Sequence, residues 1–203
     1  MFTNDTNLLD QHFLIDQSIK DLFLQTCDFQ PTDEVVEIGP GKGTMTKLIM
    51  PWVKKLTVIE RDQRLALYLD SIPNLNVIYA SVLNINIPPC DKIVTSLPYS
   101  ITEPFIYQLT KSKFKKLIML CGNRYAKSVM NKDTSKLSVL TNTYFKMTYI
   151  KDVPPTCFKP EPRVMSSLVT LEPIALDYLK INDQIIRLLF QYRYLKIKNA
   201  LKE

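Results

Sequence analysis

A doubly wound α/β domain with a mainly parallel sheet is the fold class this sequence predicts, and three observations predict it. Short runs of β-branched residues alternate with helical patterns about five times between residues 16 and 130. Three of the chain's four glycines, Gly39, Gly41 and Gly43, stand together after the first such run, where a strand would turn into a helix. From residue 138 the alternation gives way to β-rich sequence, broken by the proline-rich stretch PPTCFKPEPR.

Each element has its own signal. A helix is expected from Asp16 to Cys27, because Ile15, Ile19, Leu22 and Phe23 recur at helical spacing, and Pro31 ends that region. Glu34 to Ile38 reads as the first strand. The glycine loop follows, and then the helix TMTKLIMPWV with Thr44 as a possible cap. Leu56 to Ile59 reads as the second strand, DQRLALYLD as the second helix and Asn76 to Tyr79 as the third strand. Lys92 to Thr95 is the fourth strand; it stops at Ser96-Leu97-Pro98-Tyr99, after which a helical pattern resumes. KLIMLC, residues 116 to 121, is the fifth strand, and RYAKSVMN continues it as a helix. SVLTNTYFKMTYIKDV and SSLVTLEP are both β-rich, which suggests a late antiparallel hairpin at one edge of the sheet. Residues 175 to 201 carry Leu176, Leu179, Ile185, Ile186 and Leu189 at helical spacing and read as a helical tail.

Bulk properties narrow the function. The 203 residues suit one domain with a small appendage. A net charge of +6, from 26 basic and 20 acidic residues, favours a polyanionic partner only weakly. Cys27, Cys90, Cys121 and Cys157 are far apart, so no zinc site or disulfide framework is suggested, and no metal is expected. The single histidine, His12, excludes His-rich metal sites and most Ser-His-type triads. The opening MFTNDTNLLDQHFL is not a secretory signal, and no apolar run approaches the ~20 residues of a membrane helix. A cytoplasmic monomer with no membrane partner is the expectation.

The glycine loop reads E-x-G-x-G-x-G, with Glu37 two residues ahead of Gly39. A dinucleotide fingerprint would read G-x-G-x-x-G, and Thr44 occupies the place of its third glycine. The observed spacing is typical of S-adenosylmethionine sites, which have no pyrophosphate to cradle. Glu60 ends the second strand 21 positions after Gly39, where an acid accepts hydrogen bonds from a ribose diol. A plain strand-to-helix turn and a solvated strand-end charge are the alternatives for these residues.

These stretches resemble one family, the rRNA adenine N6-dimethyltransferases. It includes the small-subunit enzyme linked to kasugamycin sensitivity, its archaeal and eukaryotic relatives, and the erythromycin-resistance methylases. The resemblance runs over roughly residues 8 to 173. QHFLID (11 to 16), VVEIGPGKGTMT (35 to 46), VIERD (58 to 62), SLPYSI, KLSVLTNTYF and VPPTCFKPEPRVMSSLV (153 to 169) carry it.

The resemblance implies a Rossmann-like class I methyltransferase domain over residues 1–173, with a seven-stranded sheet, and a short helical tail over residues 174–203. It implies S-adenosyl-L-methionine as cofactor, bound by Gln11, His12, Leu14, Glu37, Gly39, Gly41, Gly43, Glu60, Arg61, Ser81, Val82 and Ser96. His12 either touches the cofactor or orders the N-terminus. Ser96, Leu97, Pro98 and Tyr99 resemble the catalytic N-[LI]-P-[YF] turn and are implied to be catalytic, and Phe158 is implied to support the target base, with a core aromatic as the alternative. The implied substrate is the pair of adjacent adenosines near the 3′ end of small-subunit rRNA, on an assembling ribosomal subunit.

Four positions depart from the pattern. Ser81 stands where an aspartate usually holds the adenine amine of the cofactor. Ser96 stands where the catalytic asparagine usually is. Gly122-Asn123-Arg124 replaces a Q-[KR]-E segment, and the tail is shorter than the family's helical domain.

The turn suits amine chemistry. Adenine N6 is a poor nucleophile because its lone pair is delocalised into the ring. Acceptors that hold its two hydrogens turn that lone pair toward a methyl donor, and Ser96 Oγ and the Leu97 carbonyl are the candidates. Pro98 fixes the turn, and Tyr99 offers a face for a flipped base. Pro89-Cys90 imitates a pyrimidine-methyltransferase nucleophile, but it precedes its strand and so lies at the wrong end of the sheet. Lys111, Lys113, Lys115 and Lys116 read as a solvated face; Arg187, Arg193, Lys196 and Lys198 are RNA candidates. Two other functions stay open on the sequence: a non-catalytic RNA- or ribosome-binding factor on this fold, and a resistance-type methylase of large-subunit rRNA.

Overall fold

The structure, a computed structural model, describes residues 11–174. Its elements run β1 (Phe13–Leu14), α1 (Gln17–Cys27), β2 (Glu34–Ile38), α2 (Thr44–Ile49), β3 (Lys55–Glu60), α3 (Ala66–Leu69), β4 (Asn76–Tyr79), β5 (Lys92–Ser96), α4 (Thr102–Leu109), β6 (Lys116–Gly122), α5 (Asn123–Met130), α6 (Lys136–Tyr144), β7 (Phe145–Val153), β8 (Phe158–Lys159) and β9 (Ser166–Pro173).

Seven strands form one sheet in the order β4-β3-β2-β5-β6-β9-β7. The first five are parallel, and β9 runs antiparallel to both β6 and β7. The mainly parallel sheet and its late antiparallel pair are therefore present, with β7 at the edge. The chain order reverses between β2 and β5, so a crevice opens beyond their carboxyl ends.

Parallel strands are buried on both faces, and the sequence shows why. Val36, Ile93 and Leu117 point into one core with Phe105, Ile106 and Leu109 of α4 and Val129 of α5. Their neighbours Val35, Val94 and Ile118 point into the other, with Ile19 and Phe23 of α1. Side chains alternate along a strand, so unbroken apolar runs feed both layers.

Three expectations need correction. Residues 136–144, KLSVLTNTY, are helical rather than β-rich. Ser135 caps that helix through its hydroxyl, which accepts from Ser138 N, and Thr141 and Thr143 return their hydroxyls to carbonyls four residues back. Buried Ser138 and Thr141 then pack against α5, donating to Ser128 O and meeting Tyr125 Oη, so tertiary contacts outweigh the β propensity. Thr44 is the first helical residue of α2, not its cap; Gly43 holds that position with φ 77°. The second helix is short: one 3₁₀ turn, Gln63–Leu65, precedes α3. The helical tail expected at 175–201 lies outside the described residues. No helix among the described residues is long and apolar enough to cross a membrane.

A two-stranded ribbon was not foreseen. β1 pairs with β8, matching Phe13 to Lys159 and Leu14 to Phe158. Ile15 N and Asp16 N both donate to Cys157 O. The N-terminal motif is thereby stitched to the late proline-rich motif.

Candidate active site

A cavity of about 300 Å³ opens at the carboxyl ends of β2, β3 and β5, within the size range of small-ligand sites. Nearly every residue singled out from the sequence lines it: Gln11, His12 and Leu14 from the N-terminal motif; Glu37, Gly39 and Gly41 around the loop; Glu60 and Arg61 after β3; Ser81 and Val82 after β4; Ser96, Leu97, Pro98 and Tyr99 after β5; and Phe158 of β8. Gly43 is the exception. It does not line the cavity; its φ of 77° and a would-be Cβ only 2.8 Å from Ile72 Cδ1 show that this glycine serves the turn into α2 and its close packing.

The loop is tied down by backbone and acid together. Gly39 N donates to Ile59 O at 3.0 Å. Gly41 has φ 59° and packs under the Phe13 ring, 2.8 Å from where a Cβ would sit; only glycine combines that backbone with that approach. Lys42 lies over the Phe13 and Tyr68 rings at 5.8 and 5.4 Å.

Two buried carboxylates flank the loop. Glu60 accepts from Asp62 N at 2.8 Å and from Gly41 N at 3.2 Å. Burial raises its pKa, against those backbone donors, which lower it. Glu37 accepts from Thr46 Oγ1 at 2.6 Å. Burial pushes it up to about 7; the Thr46 hydrogen bond opposes the shift and the nearby Glu60 adds to it. Neither acid has an ion pair among the described residues. Asp62, by contrast, is clasped by Arg64 at 2.8 and 2.9 Å and is held below the usual carboxylate range.

The remaining residues divide by role. Gln11 Nε2 reaches Asp62 Oδ2 at 3.5 Å, and His12 Nδ1–H donates to Pro160 O at 2.8 Å, so His12 orders the N-terminal segment while also facing the cavity. Ser81 caps the 3₁₀ turn Val82–Asn84, its hydroxyl accepting from Leu83 N at 3.4 Å. Phe158 is buried in the core and touches the cavity wall. Cys90 precedes β5, at the other end of the sheet.

Ser96 is exposed at the last position of β5, and no described residue bonds its hydroxyl. The first 3₁₀ bond beyond it runs from Ile101 N to Pro98 O at 3.2 Å, so the Leu97 carbonyl lies before that turn. Tyr99 lies across the end of β6, with its hydroxyl bonded to Ser166 Oγ.

Sequence reading missed Thr46, Asp62 and Lys42. Asp62 was visible in VIERD, but its partner Arg64 was not read with it. Thr46 gave no separate signal, because its value lies in meeting Glu37 across the loop.

The comparisons agree with this geometry. Residues 3–203 match the family model described as ribosomal RNA adenine dimethylase. A probable ribosomal RNA small subunit methyltransferase A from Methanothermobacter thermautotrophicus is 31% identical over 202 residues, covering 96% of this chain and 74% of that protein. The ribosomal RNA small subunit methyltransferase A of Leptothrix cholodnii is 34% identical over 207 residues, covering 94% of this chain and 77% of that protein. A dimethyladenosine transferase from Plasmodium falciparum superposes with a TM-score of 0.80 at 25% identity, over 95% of this chain and 75% of that one. The 23S rRNA methyltransferase ErmE superposes with a TM-score of 0.74 at 25% identity, over 93% of this chain and 83% of that one. With a family match over almost its whole length and a class I methyltransferase sheet carrying the site, this chain belongs to the ribosomal RNA adenine dimethylase family.

Proposed function

We propose that this chain transfers methyl groups from S-adenosylmethionine to N6 of adenosine in small-subunit rRNA, at the adjacent pair near the 3′ end, on an assembling subunit. One observation carries the reading: an exposed serine hydroxyl at the tip of β5 opens onto the same cavity as the glycine loop and two buried acids that have no ion pair among the described residues.

The residues present fit the cofactor. Glu60 ends β3 as a buried acceptor suited to a ribose diol, and the glycine loop brings backbone close to it. Glu37 supplies a buried carboxylate with no cationic partner among the described residues, which suits a cationic ligand. Ser81 offers only a hydroxyl already engaged with Leu83 N, so it holds an adenine amine less firmly than an aspartate would. When bound, the cofactor supplies an activated methyl on a sulfonium, so positioning and electrostatics are the protein's part.

On the substrate side, Ser96 Oγ accepts one N6 hydrogen and the Leu97 carbonyl accepts the other. Tyr99 provides the stacking face, worth ~1–3 kcal/mol for a single-stranded base. Serine is shorter than asparagine by about one bond and is not planar, so its grip on the amine is looser. Slow transfer is expected, with the first methyl added faster than the second.

The test is single-turnover methylation of small-subunit particles by the parent, Ser96→Ala and Ser96→Asn, with the product mapped. Ser96→Ala should lose roughly 100-fold or more. Ser96→Asn should match or exceed the parent. A parent-like rate for Ser96→Ala would reduce Ser96 to a turn residue. Transfer to no adenosine by any of the three would replace this reading with a binding factor, and product mapped to large-subunit RNA would move the substrate.

A further inference from the structure

Tyr99 is held at two points by strands that do not belong to its own turn. Gly122 ends β6 and Ser166 begins β9, and the two are cross-strand partners. The Tyr99 ring lies on Gly122: a Cβ there would sit 3.5 Å from Tyr99 Cγ and 3.7 Å from Cδ1. Gly122 has φ −61° and ψ 133°, which any residue adopts. Its backbone therefore does not call for glycine; the missing side chain leaves a bed for the ring. At the far end of the ring, the Tyr99 hydroxyl is hydrogen-bonded to Ser166 Oγ, and Ser166 is fully buried.

Ser166 and Ser167 point to opposite faces of β9, as adjacent strand residues must. Ser167 Oγ donates to Asp152 Oδ1 at 3.1 Å and accepts from Asn123 Nδ2 at 2.8 Å, tying β9 to β7 and α5. Ser166 turns the other way, to the catalytic turn. Two neighbouring buried serines thus serve different purposes, one stitching the sheet and one reaching the site.

We infer that Gly122 and Ser166 are positioning residues for methyl transfer: together they fix the Tyr99 ring across the end of the β6–β9 pair as a rigid wall for the target adenine. The inference rests on the proposed adenine-N6 chemistry and assigns to two strand residues a part in it. A ring fixed at one point can swing, whereas a ring bedded on backbone and tied at its hydroxyl cannot. Base orientation then follows the sheet, whose β6–β9 pairing runs over six residue pairs, from Gly122–Ser166 to Leu117–Leu171.

The experiment is a double-mutant cycle of Ser166→Ala and Tyr99→Phe, read as kcat and KM on the RNA particle and as cofactor Kd. Each single variant should lower kcat by roughly 5- to 10-fold, the size of one lost hydrogen bond, with cofactor Kd unchanged. The double variant should be no slower than Tyr99→Phe alone, because both changes remove one interaction. Ser166→Thr should restore most of the rate, and Ser167→Ala should lower stability but leave kcat intact. Multiplied losses in the double variant would mean that Ser166 acts elsewhere, and the inference would fall.

A second readout needs no turnover. RNA carrying 2-aminopurine at the target position should be quenched on docking to the parent, and less so by Ser166→Ala or Gly122→Val. Equal quenching by all three would overturn the inference even if the parent methylates. Normal quenching changes in an inactive parent would instead leave the wall standing and remove the activity.

Discussion

At the amino ends of the strands each acid faces a lysine: Asp33 with Lys92 at 2.6 Å, Asp91 with Lys115 at 2.7 Å, and Glu34 with Lys54 at 3.0 Å. At the carboxyl ends, Glu37 and Glu60 are more deeply buried, yet their partners are a hydroxyl and backbone N–H groups. The pKa directions follow. Asp91 is held low, chiefly by the Glu34 N–H and then by Lys115, whereas burial raises both Glu37 and Glu60. An acid buried without a cation costs stability, and among the described residues such acids line the cavity at one end of the sheet, which is what the proposed cofactor site requires. On the proposed function, one end holds the fold and the other binds.

The largest expected effect separates the two ends by stability. Lys92 and Asp33 have side chains only 12% and 10% exposed, so Lys92→Ala strands a nearly buried carboxylate. Unfolding free energy in urea should fall by about 3 kcal/mol, while cofactor affinity stays unchanged. A loss of affinity to match would erase the distinction between the ends.

The next effect concerns pH. Glu37 titrates near 7 when folded, against an ordinary value of 4.5. Folding therefore takes up a proton in that window. The contribution is full below pH 4.5 and is lost as the pH rises through 7, a change on the order of 3 kcal/mol. Glu37→Gln keeps an acceptor for Thr46 and should abolish that slope, which urea titrations at several pH values would measure. An unaltered slope would mean that Glu37 is charged throughout and compensated at the site.

Glu60 supplies the converse of Lys92. Glu60→Gln should weaken cofactor binding by roughly 10-fold through loss of charge-assisted hydrogen bonds, without lowering stability, and Glu60→Ala should weaken it further. Calorimetry decides this, and unchanged affinity would reject the ribose role. The smallest effect belongs to Lys115, whose side chain is 81% exposed beside Asp91. Lys115→Ala should leave the urea midpoint where it was, because exposed pairs contribute little. A clear drop there would show that exposure is a poor guide to which pairs hold this fold.

Much of this molecule is determined by sequence alone, because it is local. Strand runs such as Glu34–Ile38 and Asn76–Tyr79 match their observed bounds, since a short apolar run between turn residues has few other uses in an alternating chain. The positions of the glycine loop, Glu60 and the Ser96–Tyr99 turn were legible for the same reason: each lies where a strand stops, and all three line one cavity. Tertiary structure decided what depends on partners far along the chain. Residues 136–144 form a helix in which the local Ser135 cap is joined by buried hydroxyls that meet α5. The pairing of β1 with β8 joins residues about 145 positions apart and brings His12 to Pro160, and no periodicity encodes that meeting. The burial of Glu37 without a cation among the described residues, and the seat of Tyr99 on Gly122 and Ser166, belong to the same class. A sequence specifies which groups a chain carries and how each segment prefers to fold; burial and long-range packing decide which groups meet, and so set charge, orientation and chemistry at the site.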